Sequence, residues 1–161
     1  MKKCLGVILG VIAGAIAGVA LTNKVNQNKI SDELKKVDKF KGYYNMLLQW
    51  IDIKQEGKSL SEYFVRNNYK TIAIYGMGEM GRKLYDELKD SEIEIKYVID
   101  KDSITAYSPV DVKELDDFDG EDKVEVDVVV VTATFAFDEI QKEVSEKINC
   151  PIISLEDVIY E

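Results

Sequence analysis

Histidine is absent from the 161 residues of this chain. Histidine is the side chain that most often acts as a general base near neutral pH, and it is the commonest metal ligand. Its absence therefore excludes His-dependent hydrolysis, His–Cys nucleophile pairs and most zinc chemistry. We predict no catalytic residue and no metal ligand.

Positive charge is also scarce. The chain has 21 Lys and Arg residues against 30 Asp and Glu residues, which gives a formal net charge of −9. General nucleic-acid binding needs a basic surface, so this composition excludes it. Acidic residues concentrate between Asp111 and Asp127, and we interpret that segment as a solvated loop and helix face rather than a metal site.

Cysteine occurs only twice, as Cys4 and Cys150, in segments of different character. Two distant cysteines do not form a disulfide framework, and they fit a reducing compartment. We interpret Cys4 as an ordinary thiol within an apolar segment rather than as an acylation site.

The first apolar segment, Cys4 to Leu21, carries no charged residue. As a helix it would be about 27 Å long, close to the roughly 30 Å of a bilayer core. A cleaved signal peptide would also begin with Lys2 and Lys3 and an apolar core. A glycine at every fourth position from Gly6 to Gly18 favours a retained anchor, because small residues let membrane helices approach closely. We predict a transmembrane anchor at 1–22, with possible self-association through this glycine zipper.

Lysine residues beside this segment predict its orientation. Only Lys2 and Lys3 precede it, whereas six lysines follow it within about 20 residues. Cytoplasmic flanks carry the excess of positive charge. We therefore predict a single-pass protein of the cell membrane whose C-terminal domain faces the cytoplasm.

A long amphipathic helix is predicted over 23–57. Apolar residues recur at alternating four- and three-residue steps from Ile30 to Ile51, with Lys41 in one of the apolar positions. This is the spacing of a weak coiled coil. Phe40 and Trp50 broaden the apolar face, which leaves packing against a globular domain as the alternative. Gly57 is predicted to end this helix, and Ser59–Glu62 has the capping-box pattern that starts a short helix.

Strand and helix patterns alternate over 58–161. A strand at Lys70–Tyr75 leads into a glycine turn and a helix over Glu79–Lys89, and a second strand, Glu94–Ile99, ends at Asp100. Val126–Thr132 is Val-rich, as in a strand buried in a parallel sheet. We predict an α/β fold with a doubly wound, mainly parallel Rossmann-like sheet of about five strands. The other predicted elements are a weak strand near Pro109–Val112, an acidic turn over Lys113–Phe118, a helix over Phe137–Ile148, and a strand over Pro151–Ser154 before a final segment, Leu155–Tyr160.

The glycine turn has the G-x-G-x-x-G spacing of a dinucleotide-binding βαβ unit. Gly76 would permit the tight turn, Gly78 would let the backbone approach a pyrophosphate, and Gly81 would let the helix pack closely on the sheet. Asp100 would accept hydrogen bonds from a ribose diol and disfavour a 2′-phosphate. The expected cofactor is NAD(H), with another nucleotide as the alternative.

The predicted cofactor-binding residues lie at the carboxyl ends of the strands, where ligands of such sheets bind. They are Gly76, Met77, Gly78, Glu79, Met80, Gly81, Asp100, Lys101 and Thr132. Thr132 would donate its hydroxyl to a ribose or a phosphate; the alternative is that it caps the next helix. Glu79 suits a helix N-terminus by its charge, but it must point away from a pyrophosphate.

Two segments, Ile72–Leu84 and Tyr97–Asp102, resemble small NAD(P)-binding Rossmann-like domains of bacterial surface-polysaccharide proteins. These domains are associated with nucleotide-sugar epimerases and dehydratases. Val131–Phe135 and Ile153–Ile159 are also similar to later strands of that group. The resemblance implies NAD(P) binding and a glycosyltransferase or sugar-modifying partner. The Tyr-x-x-x-Lys pair of the epimerase/dehydratase type is missing.

Three functions fit the sequence. The first is a membrane-anchored binding module for NAD(H) or a related nucleotide, accessory or regulatory in cell-surface polysaccharide biosynthesis. The second is an NAD-dependent oxidoreductase or epimerase half-site completed by a partner, with Tyr75, Tyr107 and Lys101 as its only proton-transfer groups. The third is a structural adaptor without a ligand. We favour the first and do not expect the chain to be catalytic alone.

Overall fold

The computed structural model describes the backbone of residues 2–101, 108–119 and 125–161, and the side chains of 26–101, 108–118 and 125–161. A single helix, α1 (Lys2–Gln55), precedes the α/β elements. The anchor predicted at 1–22 lies outside the residues whose side chains are described. Among the residues that are described, no helix is both long and apolar enough to cross a membrane.

The chain forms two compact units, Met1–Tyr44 and Asn45–Glu161. In the described part of the first unit, α1 is the one element, and most of its side chains are exposed. The second unit begins inside α1 because Met46 and Trp50 are buried, with exposures of 2% and 6%. The last turns of α1 therefore belong to the compact unit, although the sequence places the start of the domain at 58.

Gly57 ends α1 in the predicted role. Its φ is +74°, a conformation that glycine adopts without steric cost. The N–H of Gly57 donates to the carbonyl of Lys54 at 3.0 Å, and the N–H of Lys58 donates to that of Ile53 at 3.1 Å. These two bonds satisfy carbonyl groups that the end of a helix would otherwise leave unpaired.

The short helix α2 (Ser61–Arg66) has Leu60 as its N-cap, and the side chains of the predicted capping-box pattern bind the backbone around it. The Glu62 carboxylate accepts a hydrogen bond from the N–H of Ser59 at 3.2 Å, and the Ser59 hydroxyl accepts one from the N–H of Ser61 at 3.3 Å. Leu60 and Phe64 are buried, which fixes α2 to the body of the second unit.

A five-stranded parallel sheet forms the centre of the second unit. Its strands are β1 (Thr71–Tyr75), β2 (Glu94–Ile99), β3 (Val112–Lys113), β4 (Val128–Val131) and β5 (Ile152–Ser154). They lie in the order β3-β2-β1-β4-β5, and every neighbouring pair is parallel. The interior strand β4 is wholly buried, which explains its apolar run. The prediction of an α/β fold with about five mainly parallel strands is confirmed.

Helices connect these strands and flank the sheet. They are α3 (Glu79–Leu88), α4 (Phe137–Ser145) and α5 (Leu155–Tyr160), with 3-10 turns at Leu115–Asp119 and Thr134–Ala136. From β1 the chain passes through α3 to β2, toward one edge of the sheet. From β4 it passes through α4 to β5, toward the other edge. Because crossovers between parallel strands are right-handed, α3 and α4 lie on opposite faces of the sheet.

The third strand and α4 have different bounds in the structure from those predicted. β3 lies at Val112–Lys113, where its residues pair with Val98 and Ile99, rather than at Pro109–Val112. Proline has no N–H to donate to a strand partner, which disfavours the earlier position. α4 ends at Ser145 rather than at Ile148, and residues 146–147 form a turn in which the N–H of Lys147 donates to the Val144 carbonyl at 3.0 Å.

The core on the α4 face is built from alternate residues of the strands, since successive side chains of a strand point to opposite faces. Tyr97 lies at its centre, with its ring centroid 5.4 Å from that of Phe118. Burial raises the pKa of Tyr97 to about 12. The other core residues of this face are Ala73, Tyr75, Ile99, Val126, Val129, Val131, Ile140 and Val144.

Candidate functional site

The glycine turn lies where the strand order of the sheet reverses. β1 and β4 are neighbours, with Tyr75 paired to Val131 at their carboxyl ends, and the chain leaves them in opposite directions. The crevice beyond the strand ends at such a point is the usual ligand site of open α/β sheets. Gly76 follows β1 there, Asp100 follows β2, and Thr132 follows β4.

Gly76 and Gly81 are glycines because the fold requires them. Gly76 has a φ of +92°, which side chains rarely permit. A Cβ on Gly81 would collide with the carbonyl oxygen of Gly76 and would lie 3.0 Å from its carbonyl carbon. α3 therefore approaches the turn backbone to backbone, as the sequence predicts for the third glycine of the motif.

Gly78 is different, because nothing in the fold demands glycine there. Its φ of −67° suits any residue, and a Cβ at this position would meet no atom within 4 Å. Gly78 is the N-cap residue of α3 and is exposed, and no side chain caps the helix from this position. At Gly78, therefore, no side chain lies between the first turn of α3 and the open space in front of it.

Asp100 is tied to the glycine turn. One of its carboxylate oxygens accepts a hydrogen bond from the N–H of Met77 at 2.7 Å. The preceding residue, Ile99, also binds the turn, because its carbonyl accepts a hydrogen bond from the N–H of Gly76 at 2.8 Å. Asp100 is half-buried. The acid predicted to meet a ribose therefore also holds the turn against the end of β2.

Thr132 holds the other side of the turn. Its hydroxyl donates to the carbonyl oxygen of Gly76 at 2.8 Å and lies 3.2 Å from that of Tyr75. Thr132 is 4% exposed. The alternative that it caps the next helix is not what the structure has, because the N-cap residues of the following 3-10 turn and of α4 are Ala133 and Ala136.

The remaining predicted site residues divide by exposure. Met77 and Met80 are buried, and the backbone N–H of Met77 is already used by Asp100. Glu79 is exposed in the first turn of α3. Lys101 directly follows Asp100 in the chain. Its side chain is exposed and pairs with Glu143 at 3.4 Å. The structure thus brings the glycine turn, Asp100 and Thr132 together and leaves the charged side chains around them in solvent.

The sequence did not predict the hydrogen bonds that the residues of this site make with one another. The bond from Thr132 to Gly76 depends on the register of β1 against β4, and the bond from Met77 to Asp100 depends on where β2 ends. Tyr75 adds a buried hydroxyl that has no hydrogen-bond partner among the described residues. Burial raises its pKa. In the sequence, only the aromatic residue before the first glycine indicated this buried hydroxyl.

The fold and the turn define an α/β protein with a parallel sheet and a glycine-rich connection between β1 and α3. This chain belongs to the C2185-like, N-terminal family, whose family model matches residues 67–152, more than half of the chain. The match runs from just before β1 into β5 and includes the whole candidate site. Comparison with curated proteins gives no match, and neither does comparison with solved structures.

Proposed function

We propose that this protein is a nucleotide-binding module with a Rossmann-like fold that binds NAD(H) or a related nucleotide. The nucleotide would lie beyond the carboxyl ends of β1 and β4, with its pyrophosphate over Gly78 and its ribose near Asp100. The chain acts as a binding subunit and is not an enzyme by itself.

The observation that carries this proposal is the open space in front of Gly78. The fold explains the other two glycines of the motif by a positive φ at Gly76 and by a backbone contact at Gly81. It does not explain Gly78, where a Cβ would meet nothing. A phosphate that approaches the backbone supplies the reason, because a side chain at 78 would occupy its place.

The electrostatics of the turn support the same ligand. The N-terminus of a helix carries a partial positive charge and N–H groups without intrahelical partners, which favours phosphate oxygens. α3 has ten residues and begins at this open position. Glu79 opposes an anion by its own charge, but as an exposed side chain it can point away into solvent.

Asp100 sets the expected preference among nucleotides. A carboxylate can accept about four hydrogen bonds, so the bond from Met77 is compatible with bonds from a ribose diol. A 2′-phosphate would bring negative charge beside this carboxylate. NAD is therefore preferred to NADP.

The cellular setting follows from the sequence. The apolar segment Cys4–Leu21 is the proposed membrane anchor, and the lysines after it place the second unit in the cytoplasm. The resemblance to domains of surface-polysaccharide proteins supports an accessory role in that biosynthesis, beside a glycosyltransferase or sugar-modifying partner. Protease added to intact cells should spare the C-terminal domain, and its digestion would contradict this orientation.

A structural adaptor without a ligand is the second candidate. It is favoured by the internal use of the site, since Asp100 accepts from Met77 and Thr132 donates to Gly76. A catalytic half-site has less support. Tyr75 is 4% exposed, so its hydroxyl is not presented to a substrate, and Lys101 is an exposed side chain that pairs with Glu143. Tyr107 lies outside the described residues.

Calorimetric titration of the full-length chain in detergent tests the proposal. NAD, NADH, a UDP-sugar and coenzyme A are each titrated at up to about millimolar concentration, the weak end of the affinity scale. We expect NAD or NADH to bind, and Gly78→Ala to weaken that binding about tenfold or more because its methyl group enters the phosphate position.

Gly42→Ala is the matched control. A Cβ at Gly42 also meets nothing within 4 Å, but this residue lies in α1 within the first unit. It should leave binding unchanged. If none of the four compounds binds, the adaptor replaces the nucleotide-binding module as the better account. If Gly78→Ala binds NAD as tightly as the unmodified chain, the pyrophosphate does not lie over Gly78 and the proposed site is wrong.

A further inference from the structure

One face of α1 in the first unit consists of large apolar side chains that are exposed to solvent. We call this face the seam; it comprises Ile30, Leu34, Val37, Phe40 and Tyr44, which are 60%, 57%, 59%, 68% and 61% exposed. Most helical stability in water comes from burying such a stripe, and an isolated helix gains little from propensity alone. The seam therefore needs a partner.

The spacing of the seam specifies the kind of partner. Ile30, Leu34, Val37 and Tyr44 follow the alternating four- and three-residue steps of a heptad repeat, with Lys41 at the step between the last two. A repeat of 3.5 residues keeps apolar side chains on one side only when helices supercoil around one another. The fitting partner is a helix with the same repeat.

We propose that a second copy of this chain covers the seam in a parallel, in-register, two-stranded coiled coil. Two identical copies present the same heptad positions at the same height, so each apolar layer meets its own counterpart. The parallel direction rests on the proposed function, because two helices anchored in one membrane must leave it in the same direction.

The exposed area is adequate for such a pairing. Five large side chains that are each about three-fifths exposed leave on the order of 600 Å² uncovered, so two copies would bury about 1,200 Å². That is the lower end of the range for specific protein interfaces. In the second unit, Leu48 and Ile51 keep the same heptad spacing and are also exposed.

The charges make this coiled coil a weak one. Lys41 occupies a seam position, so a parallel pair places two ammonium groups in the same layer. Glu33 and Asp38 flank the seam, and Glu33 is engaged by Lys36 of its own helix at 2.8 Å. A single lysine in a seam fixes register at a cost in stability. The pairing should therefore tighten when Lys41 becomes apolar.

Disulfide cross-linking of the full-length chain in membrane vesicles tests the second copy. The native cysteines are replaced with serine, and one new cysteine is introduced as Val37→Cys. We expect oxidation to give a cross-linked dimer, because a parallel in-register pair brings the two copies of residue 37 together. Lys35→Cys is the matched control; it lies on the opposite side of the heptad and should give at least about fivefold less dimer.

A mixture of Val37→Cys chains and differently tagged Leu48→Cys chains tests the direction. An antiparallel pair that aligns Leu34 with Ile51 would bring 37 close to 48, so a mixed cross-link that exceeds the 37–37 product would overturn the parallel arrangement. Equal dimer yields from Val37→Cys and Lys35→Cys would overturn the coiled coil altogether. Membrane fractionation of the same samples tests the anchor independently, and nucleotide titration tests the nucleotide site independently.

Lys41→Leu provides the second measurement. It should lower the dissociation constant of the dimer at least about tenfold, whereas Lys35→Leu, which adds the same side chain away from the seam, should not change it. If both variants strengthen association equally, general hydrophobicity rather than the seam is responsible, and the proposal fails.

Discussion

Gly81→Ala is the substitution for which local and tertiary physics predict opposite signs. Gly81 is the third residue of α3, and alanine is preferred to glycine within a helix by about 1 kcal/mol. Helix propensity alone therefore predicts that the variant is more stable. The tertiary structure predicts the opposite, because the new methyl group would collide with the Gly76 carbonyl.

The magnitude follows from how firmly that carbonyl is held. Gly76 donates its N–H to Ile99 at 2.8 Å and accepts from the Thr132 hydroxyl at 2.8 Å, so the turn cannot move away without losing hydrogen bonds. Overpacking of this kind costs about 1–3 kcal/mol, and a backbone neighbour places it near 3. After subtraction of the propensity gain, we expect Gly81→Ala to lower the free energy of unfolding by about 2 kcal/mol.

Urea unfolding followed by tryptophan fluorescence measures this change. Trp50 is the one tryptophan of the chain and is buried in the second unit, so its emission reports unfolding of that unit. A loss of about 2 kcal/mol should lower the urea midpoint by about 1–2 M. Gly78→Ala, with no atom near its new methyl group, is the control and should change stability by less than about 0.5 kcal/mol. If Gly81→Ala is as stable as the unmodified chain, or more stable, the close contact between α3 and the turn is refuted.

Three further substitutions test the site and the sheet. Asp100→Ala should weaken NAD binding about tenfold and reduce the preference for NAD over NADP in calorimetric titrations; an unchanged ratio would rule out its ribose role. Thr132→Val keeps the shape but leaves a carbonyl of the turn without its donor, so it should cost about 1–2 kcal/mol in urea unfolding, and a neutral effect would count against the bracing role. The N–H groups of Thr71 and Lys70 hold the pKa of Asp127 below its ordinary value of 3.8. Because the folded-state pKa is the lower one, this stabilisation is present above the ordinary value and is lost as the pH falls through the folded-state pKa. The stability advantage over Asp127→Asn should therefore shrink between about pH 7 and about pH 3, and a constant advantage would contradict the assignment.

The strands and helices around the glycine turn were predictable because their signals are local. β2 has the predicted bounds, and the helix after the turn ends one residue before the predicted Lys89. The end of α1 at Gly57 and the bond between Ser59 and Glu62 also depend on residues within a few positions of one another. Short-range hydrogen bonding and periodicity are enough to fix such features.

Features that depend on distant residues were harder to predict. Met46 and Trp50 belong to the same compact unit as the sheet, which the pattern of α1 left undecided between a coiled coil and a globular contact. The roles of the two polar site residues also depend on tertiary placement. Thr132 reaches Gly76 only because β4 pairs with β1 in one particular register.

The sequence by itself determined the α/β class, the glycine turn and the absence of histidine chemistry, because composition and local periodicity carry that information. The tertiary structure decided what each glycine and each polar group of the turn does. Gly81 is glycine because the Gly76 backbone lies against it, whereas Gly78 faces open space. That difference arises from the packing of α3 against β1 and β2, which no single stretch of sequence contains. This difference also identifies the space in front of Gly78 as the place where ligand binding should be tested.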